Sequence, residues 1–155
     1  MVWNPQIALA VFIGLTAMVE DLLRREIPNW IPVTALVGGL TVSVWMSGWS
    51  GLGSSLLGSL LGFVVFLLFY ILGGMGGGDV KLMGGLGAVL GANRVLEAAL
   101  WTAGLGGILA ALAVGYSALQ GRKTQAVSGE KKSSLHIPYA PAIALGAWLA
   151  LVPRG

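Results

Sequence analysis

The sequence of 155 residues has no cysteine and one histidine, His136. Without cysteine there is no disulfide framework and no thiolate zinc site, and a solitary histidine makes no ligand cluster, so no metal is expected. Charge is scarce as well: Asp, Glu, Lys and Arg make up 10% of the chain against 56% hydrophobic residues, with a mean hydropathy of +0.86. A soluble domain carries about a quarter charged residues, so this composition excludes one. The weak alternation of a barrel strand is missing too. The net charge of +3 does not indicate nucleic acid, because the basic residues fall between the apolar runs, where they set membrane topology. What remains is an all-α polytopic membrane protein whose partner is the lipid bilayer, with no cofactor implied.

Six apolar stretches are present. The first runs from about Pro5 to Leu23, the second from Trp30 to Ser47 and the third from Leu52 to Leu72, each close to a spanning length. The fourth, Val80 to Ala92, is short; the fifth runs from Val95 to Leu119 and the sixth from Ile137 to Val152. No basic residue precedes the first run, so no cleavable signal is expected. One sizeable polar segment, "QGRKTQAVSGEKKSSLH", separates the fifth and sixth and reads as a loop. The final "LVPRG" resembles a thrombin cleavage scar, and residues 153–155 are set aside as an expression-tag remnant, leaving 1–152 as a single transmembrane domain.

Loop charge decides whether the short fourth stretch crosses. If all six cross, Arg24, Arg25, Lys81, Arg122, Lys123, Lys131 and Lys132 share one side and Arg94 stands alone on the other. That bias predicts about six transmembrane helices, the basic side in the cytoplasm and both termini outside it. Small residues recur at Gly58-x-x-x-Gly62, Gly87-x-x-x-Gly91 and Ala103-x-x-x-Gly107. That spacing predicts close helix packing in lipid, with self-association to a homo-oligomer as its alternative use.

The acids sort by this topology. Glu20 and Asp21 end the first span at the basic face, and Asp79 stands at the same face behind Gly76-Gly77-Gly78, where the third span gives way to the fourth. Two carboxylates at one desolvated site cannot both ionise cheaply, so they hold one proton between them. The ionised member can take a proton from water while the other donates to a peptide carbonyl, the logic of aspartic proteolysis. The three glycines are expected to let the backbone leave helical geometry and a substrate strand approach.

Three ordered motifs sharpen this reading. In "EDLLRREIPNW", Asp21 is followed, after five residues, by Ile27-Pro28-Asn29; Gly76-Gly77-Gly78-Asp79 is a G-x-G-D sequence continued by Val80-Lys81-Leu82-Met83; and "IPYAPAIALGA" places Pro138 and Tyr139 at the opening of the last span. Together they resemble the type IV prepilin peptidases, over essentially the whole native chain. The resemblance implies a membrane aspartic endopeptidase with Asp21 and Asp79 as its pair. It would remove the short basic leader of pilin-like precursors at the cytoplasmic face of the inner membrane, usually after a glycine. Lacking the cysteine-bearing insertion of the long bifunctional members, the chain looks like the short form that serves tight-adherence (Flp) pili.

Each residue also has a plainer use. Asp79 alone reads as an N-cap, and Asp21 alone as the partner of Arg24 or Arg25 on the next turn. Pro28 and Asn29 suit helix initiation, Lys81 suits either a pair with Asp79 or snorkelling to the interface, and His136 suits a solvated loop. At the level of the whole protein, a small ion-coupled transporter or channel and an idle secretion scaffold are the alternatives. The first fits poorly, because there is no internal repeat and the acids gather at one face instead of the midplane.

Overall fold

The computed structural model describes residues 4–72, 75–119 and 139–152. Pro138, His136, the polar loop and the terminal 153–155 lie outside the described residues. Among those described there are five helices and no strand: α1 (Pro5–Arg24), α2 (Trp30–Ile71), α3 (Gly77–Leu90), α4 (Ala92–Leu119) and α5 (Ala140–Leu151). Two of them, α1 and α2, are long and apolar enough to cross a membrane.

Helix α1 starts with Pro5 in its first turn, where a missing N–H costs nothing, and the Asn4 side chain accepts the Gln6 N–H at 3.0 Å. It stops where Arg25 turns left-handed (φ 55°) and donates its N–H to the Asp21 carbonyl at 2.9 Å.

Helix α2 is 42 residues long but not one rod. Gly48, at φ 59° and ψ −138°, interrupts it and divides it into the second and third apolar stretches of the sequence. A side chain is strained at that φ, so glycine is required at the break. The two limbs run in opposite directions along α3. On the first limb, Pro32 abuts Gly85 and Gly39 abuts Ala88 and Val89; on the second, Ser54 meets Gly91, Gly58 meets Gly87 and Gly62 meets Met83. The chain therefore reverses at Gly48. Helix α5 runs antiparallel to both its neighbours: Trp148 Nε1 donates to the Ala10 carbonyl of α1 at 3.0 Å, and Gly146 lies against Ala98 and Thr102 of α4.

At the centre stands α3, buried from Asp79 to Leu90 except at Lys81. Its 14 residues rise about 21 Å, short of the roughly 30 Å of a hydrocarbon core. It begins three residues before the expected fourth stretch, because the first turn is closed by Asp79. A single residue, Gly91 (φ 75°), separates it from α4. The interior is built largely of glycine, alanine and modest aliphatics, whereas Trp45, Trp49, Leu23, Leu72 and Leu100 are strongly exposed. Small residues inside and large apolar ones outside suit a surround of lipid tails, which offer no penalty to exposed leucine.

Candidate active site

One end of the bundle collects the motifs. The last turn of α1 carries Asp21, the α1–α2 connection carries Ile27, Pro28 and Asn29, and the first turn of α3 carries Gly77, Gly78 and Asp79. Tyr139, immediately before α5, joins them.

Asp21 is 5% exposed, and its Oδ2 accepts the backbone N–H of Ala140 at 3.1 Å. The arginine pairing that the sequence allowed goes instead to its neighbour: Arg24 Nε lies 3.2 Å from Glu20 Oε2, with the arginine largely exposed. Adjacent helical residues point about 100° apart, so the two acids meet different neighbours.

Asp79 is 7% exposed and occupies the third position of α3. Its Oδ2 accepts the Gly76 N–H at 3.1 Å, while its own N–H donates to the Gly76 carbonyl at 3.2 Å. The residue at the cap is Gly76, in extended geometry (φ −82°, ψ 154°), and the aspartate closes the turn from within. The expected non-helical stretch therefore contracts to Gly76; Gly77 and Gly78 are ordinary helical residues. The reason is that reciprocal bonding between Asp79 and Gly76 satisfies the amides that would otherwise leave the first turn open.

The Ile-Pro-Asn segment does more than start a helix. A Cβ on Gly78 would lie 3.3 Å from Ile27, so Ile27 seats on the first turn of α3. Pro28 precedes α2 and is not in its first turn; its carbonyl accepts the Ile31 N–H at 3.1 Å. Asn29 makes no side-chain cap and accepts a hydrogen bond from Lys81 Nζ at 3.0 Å. Lys81 thereby ties α3 to α2.

Sequence reasoning missed both anchors, because each is a main-chain N–H and leaves no side-chain signature. It also missed an apolar cavity of about 160 Å³ beside them, walled by Phe66, Phe69, Met75 and Tyr139 and floored by α4. The Ala103-x-x-x-Gly107 spacing was its only trace. Among the described residues, no group of three or more acids or histidines is placed to share a metal ion.

Two buried carboxylates, each accepting a backbone N–H, thus stand at one end of an all-helical bundle. Residues 8–111 match the model of the type IV leader peptidase family, and the chain belongs to that family. The matched span includes Asp21 and Asp79 and ends before Tyr139. Comparison with curated proteins and with solved structures gave no match.

Proposed function

We propose that the chain is an aspartic endopeptidase in which Asp21 and Asp79 are the catalytic pair, removing the short basic leader of pilin-like precursors at the cytoplasmic membrane face. Membership of a leader peptidase family gives the class of activity. The observation that carries the assignment is that these two aspartates, far apart in sequence, are both buried at the same end of the bundle and each accepts a main-chain N–H.

In this reading, water attacks the scissile carbonyl carbon and loses a proton to the ionised carboxylate. The protonated partner gives its proton to the carbonyl oxygen, and collapse of the tetrahedral adduct breaks the C–N bond as the amine takes up a proton. Gly76 to Gly78 leave the approach to Asp79 free of side chains for an extended substrate.

The orientation follows the charges. Counting the two limbs of α2 separately, the described segments alternate in direction, which favours six crossings with both termini away from the aspartates. Arg24, Arg25 and Lys81 lie at the aspartate end and Arg94 at the other, which favours a cytoplasmic site. Residues 1–152 then form one membrane domain.

The test is co-expression with pilin-like precursors in a bacterial inner membrane, reading leader loss by mass. Cleavage by the native chain and none by Asp21→Asn or Asp79→Asn supports the pair. Normal turnover in either mutant, with the substitution verified, removes it.

A further inference from the structure

The outer side of α2 and α3 carries a second hollow, an open groove of about 600 Å³ lined by neither aspartate. Its walls are the two limbs of α2, with Val33 and Leu36 on one and Leu56 and Leu60 on the other, and its floor is α3 at Gly84 and Gly85. Val33, Leu56 and Leu60 are each more than half exposed. The groove therefore opens outward, toward lipid tails in a membrane.

Its width follows from the floor. A Cβ on Gly84 would meet Phe63 of one limb at 3.4 Å, and a Cβ on Gly85 the Pro32 carbonyl oxygen of the other at 2.6 Å. Adjacent helical residues point about 100° apart, so at the usual interaxial distance of about 8–10 Å the limbs stand about 12–15 Å apart, axis to axis. A helix with its side chains is about 10–12 Å across, which leaves a slot only a few ångströms wide. One hydrocarbon chain fits it; another helix does not.

Asn29 and Lys81 stand where the slot begins, at the aspartate end. Lys81 is exposed, and its Nζ donates to Asn29 Oδ1 at 3.0 Å. An ammonium has three donors and the amide oxygen is a neutral acceptor, so this bond leaves two donors and does not neutralise the charge. From there the slot follows α2 for about 10 Å, to the level of Leu36 and Leu56. A cation at the head of an apolar slot is complementary to a phosphate joined to a hydrocarbon chain.

We propose that the groove is a phospholipid site: the phosphodiester of one lipid molecule sits on Lys81, and one of its acyl chains lies between the limbs of α2. The chain fills a gap that the packing of α2 on α3 leaves and braces, from outside, the helix that carries Asp79. The site needs a membrane but not the peptidase reading, and its failure leaves that reading standing.

The test reconstitutes the full chain with phosphatidylglycerol carrying a photoreactive diazirine in one acyl chain and maps the labelled residues by mass spectrometry. Diacylglycerol with the same acyl chains and label is the phosphate-free comparison. Labelling of Val33, Leu56 or Leu60 should exceed that of Leu100 and Leu112, which are more exposed but lie outside the groove. Diacylglycerol should label the groove about fivefold less, the weight of one basic residue at a membrane surface, and Lys81→Gln should lower labelling by the phospholipid by the same factor. Ser59→Leu, on the groove wall, should lower labelling by both probes and serves if the first variant does not accumulate. Labelling spread evenly over the outward leucines, equal labelling by the two probes, or labelling unchanged in Ser59→Leu overturns the site. A pilin-like precursor that cross-links to Val33, Leu56 or Leu60 and excludes the lipid gives the groove to the substrate and also overturns it.

Discussion

Helix α3 is glycine-rich at both ends, and the two groups do opposite things. At Gly85 an added Cβ would sit 2.6 Å from the Pro32 carbonyl oxygen, and at Gly87 it would run into the backbone of Gly58. In the first turn, Gly77 would meet only the Tyr70 ring at 3.8 Å, and Gly78 only Ile27 at 3.3 Å. Gly85 and Gly87 let α3 press against both limbs of α2 where lipid supplies no hydrophobic drive, and the nearest atoms in the space a side chain would take are a neighbour's backbone. The proximal ones are filled by nothing so close. A glycine stripe therefore marks packing where backbone fills it and access where space remains.

The comparison breaks first at the packed end. Gly87→Val should prevent accumulation of folded protein, because backbone cannot yield as a flexible side chain can; normal amounts in membranes, with native resistance to proteolysis, would contradict the packing seen here. At the open end, Asp79→Asn and Asp21→Asn should cost about 10³-fold or more in cleavage, since each removes half of an acid-base pair, with unchanged accumulation. Glu20→Gln, at the Arg24 ion pair, should stay within about threefold, as a pair with a largely exposed arginine contributes little. Initial rates at matched protein level check all three.

Gly78→Val sharpens the boundary between the two groups. Its branched side chain presses on Ile27, so cleavage should fall by about tenfold, the scale of modest overpacking, and Ile27→Ala in the same chain should restore much of it. Failure of that rescue would mean that the glycine serves substrate approach alone. The smallest effect is expected for Gly77→Ala: rate within about twofold, and a gain of up to about 1 kcal/mol in helix stability, read as resistance to thermal inactivation in membranes.

Much of this was legible from the chain. Period, length and charge located the apolar segments, and the break at Gly48 separates the second and third as expected, although the helix is otherwise continuous there. Spacing to Ile27-Pro28-Asn29 singled out Asp21; its burial, and the pairing of Glu20 with Arg24, are seen only in the fold. The helical state of Gly77 and Gly78 was not legible. Propensity ranks glycine poorly in a helix, and only the fold shows that Asp79 closes the turn behind them. Nor could Lys81 be matched to Asn29, a contact that exists only once α2 and α3 are side by side. The cavity was hidden for a related reason: Phe66 and Phe69 of α2 meet Tyr139, 70 positions further on, only in the fold, and each alone reads as a membrane residue.

Both aspartates are tethered by main-chain N–H groups, and this makes the tethers invisible to the usual genetics. Replacing Gly76 or Ala140 by any ordinary residue leaves the donor in place, so a scan of this end that swaps side chains would record the acids and overlook what aims them. Only proline deletes an amide hydrogen. The backbone would accept it at Gly76, which is extended at φ −82°, but not at Ala140, because Tyr139 before it is αR, a geometry that a following proline disfavours. Gly76→Pro would remove the N–H that Asp79 Oδ2 accepts while leaving the acids themselves unchanged. A chain so altered that still cleaved at full rate would show that Asp79 keeps its aim without that amide.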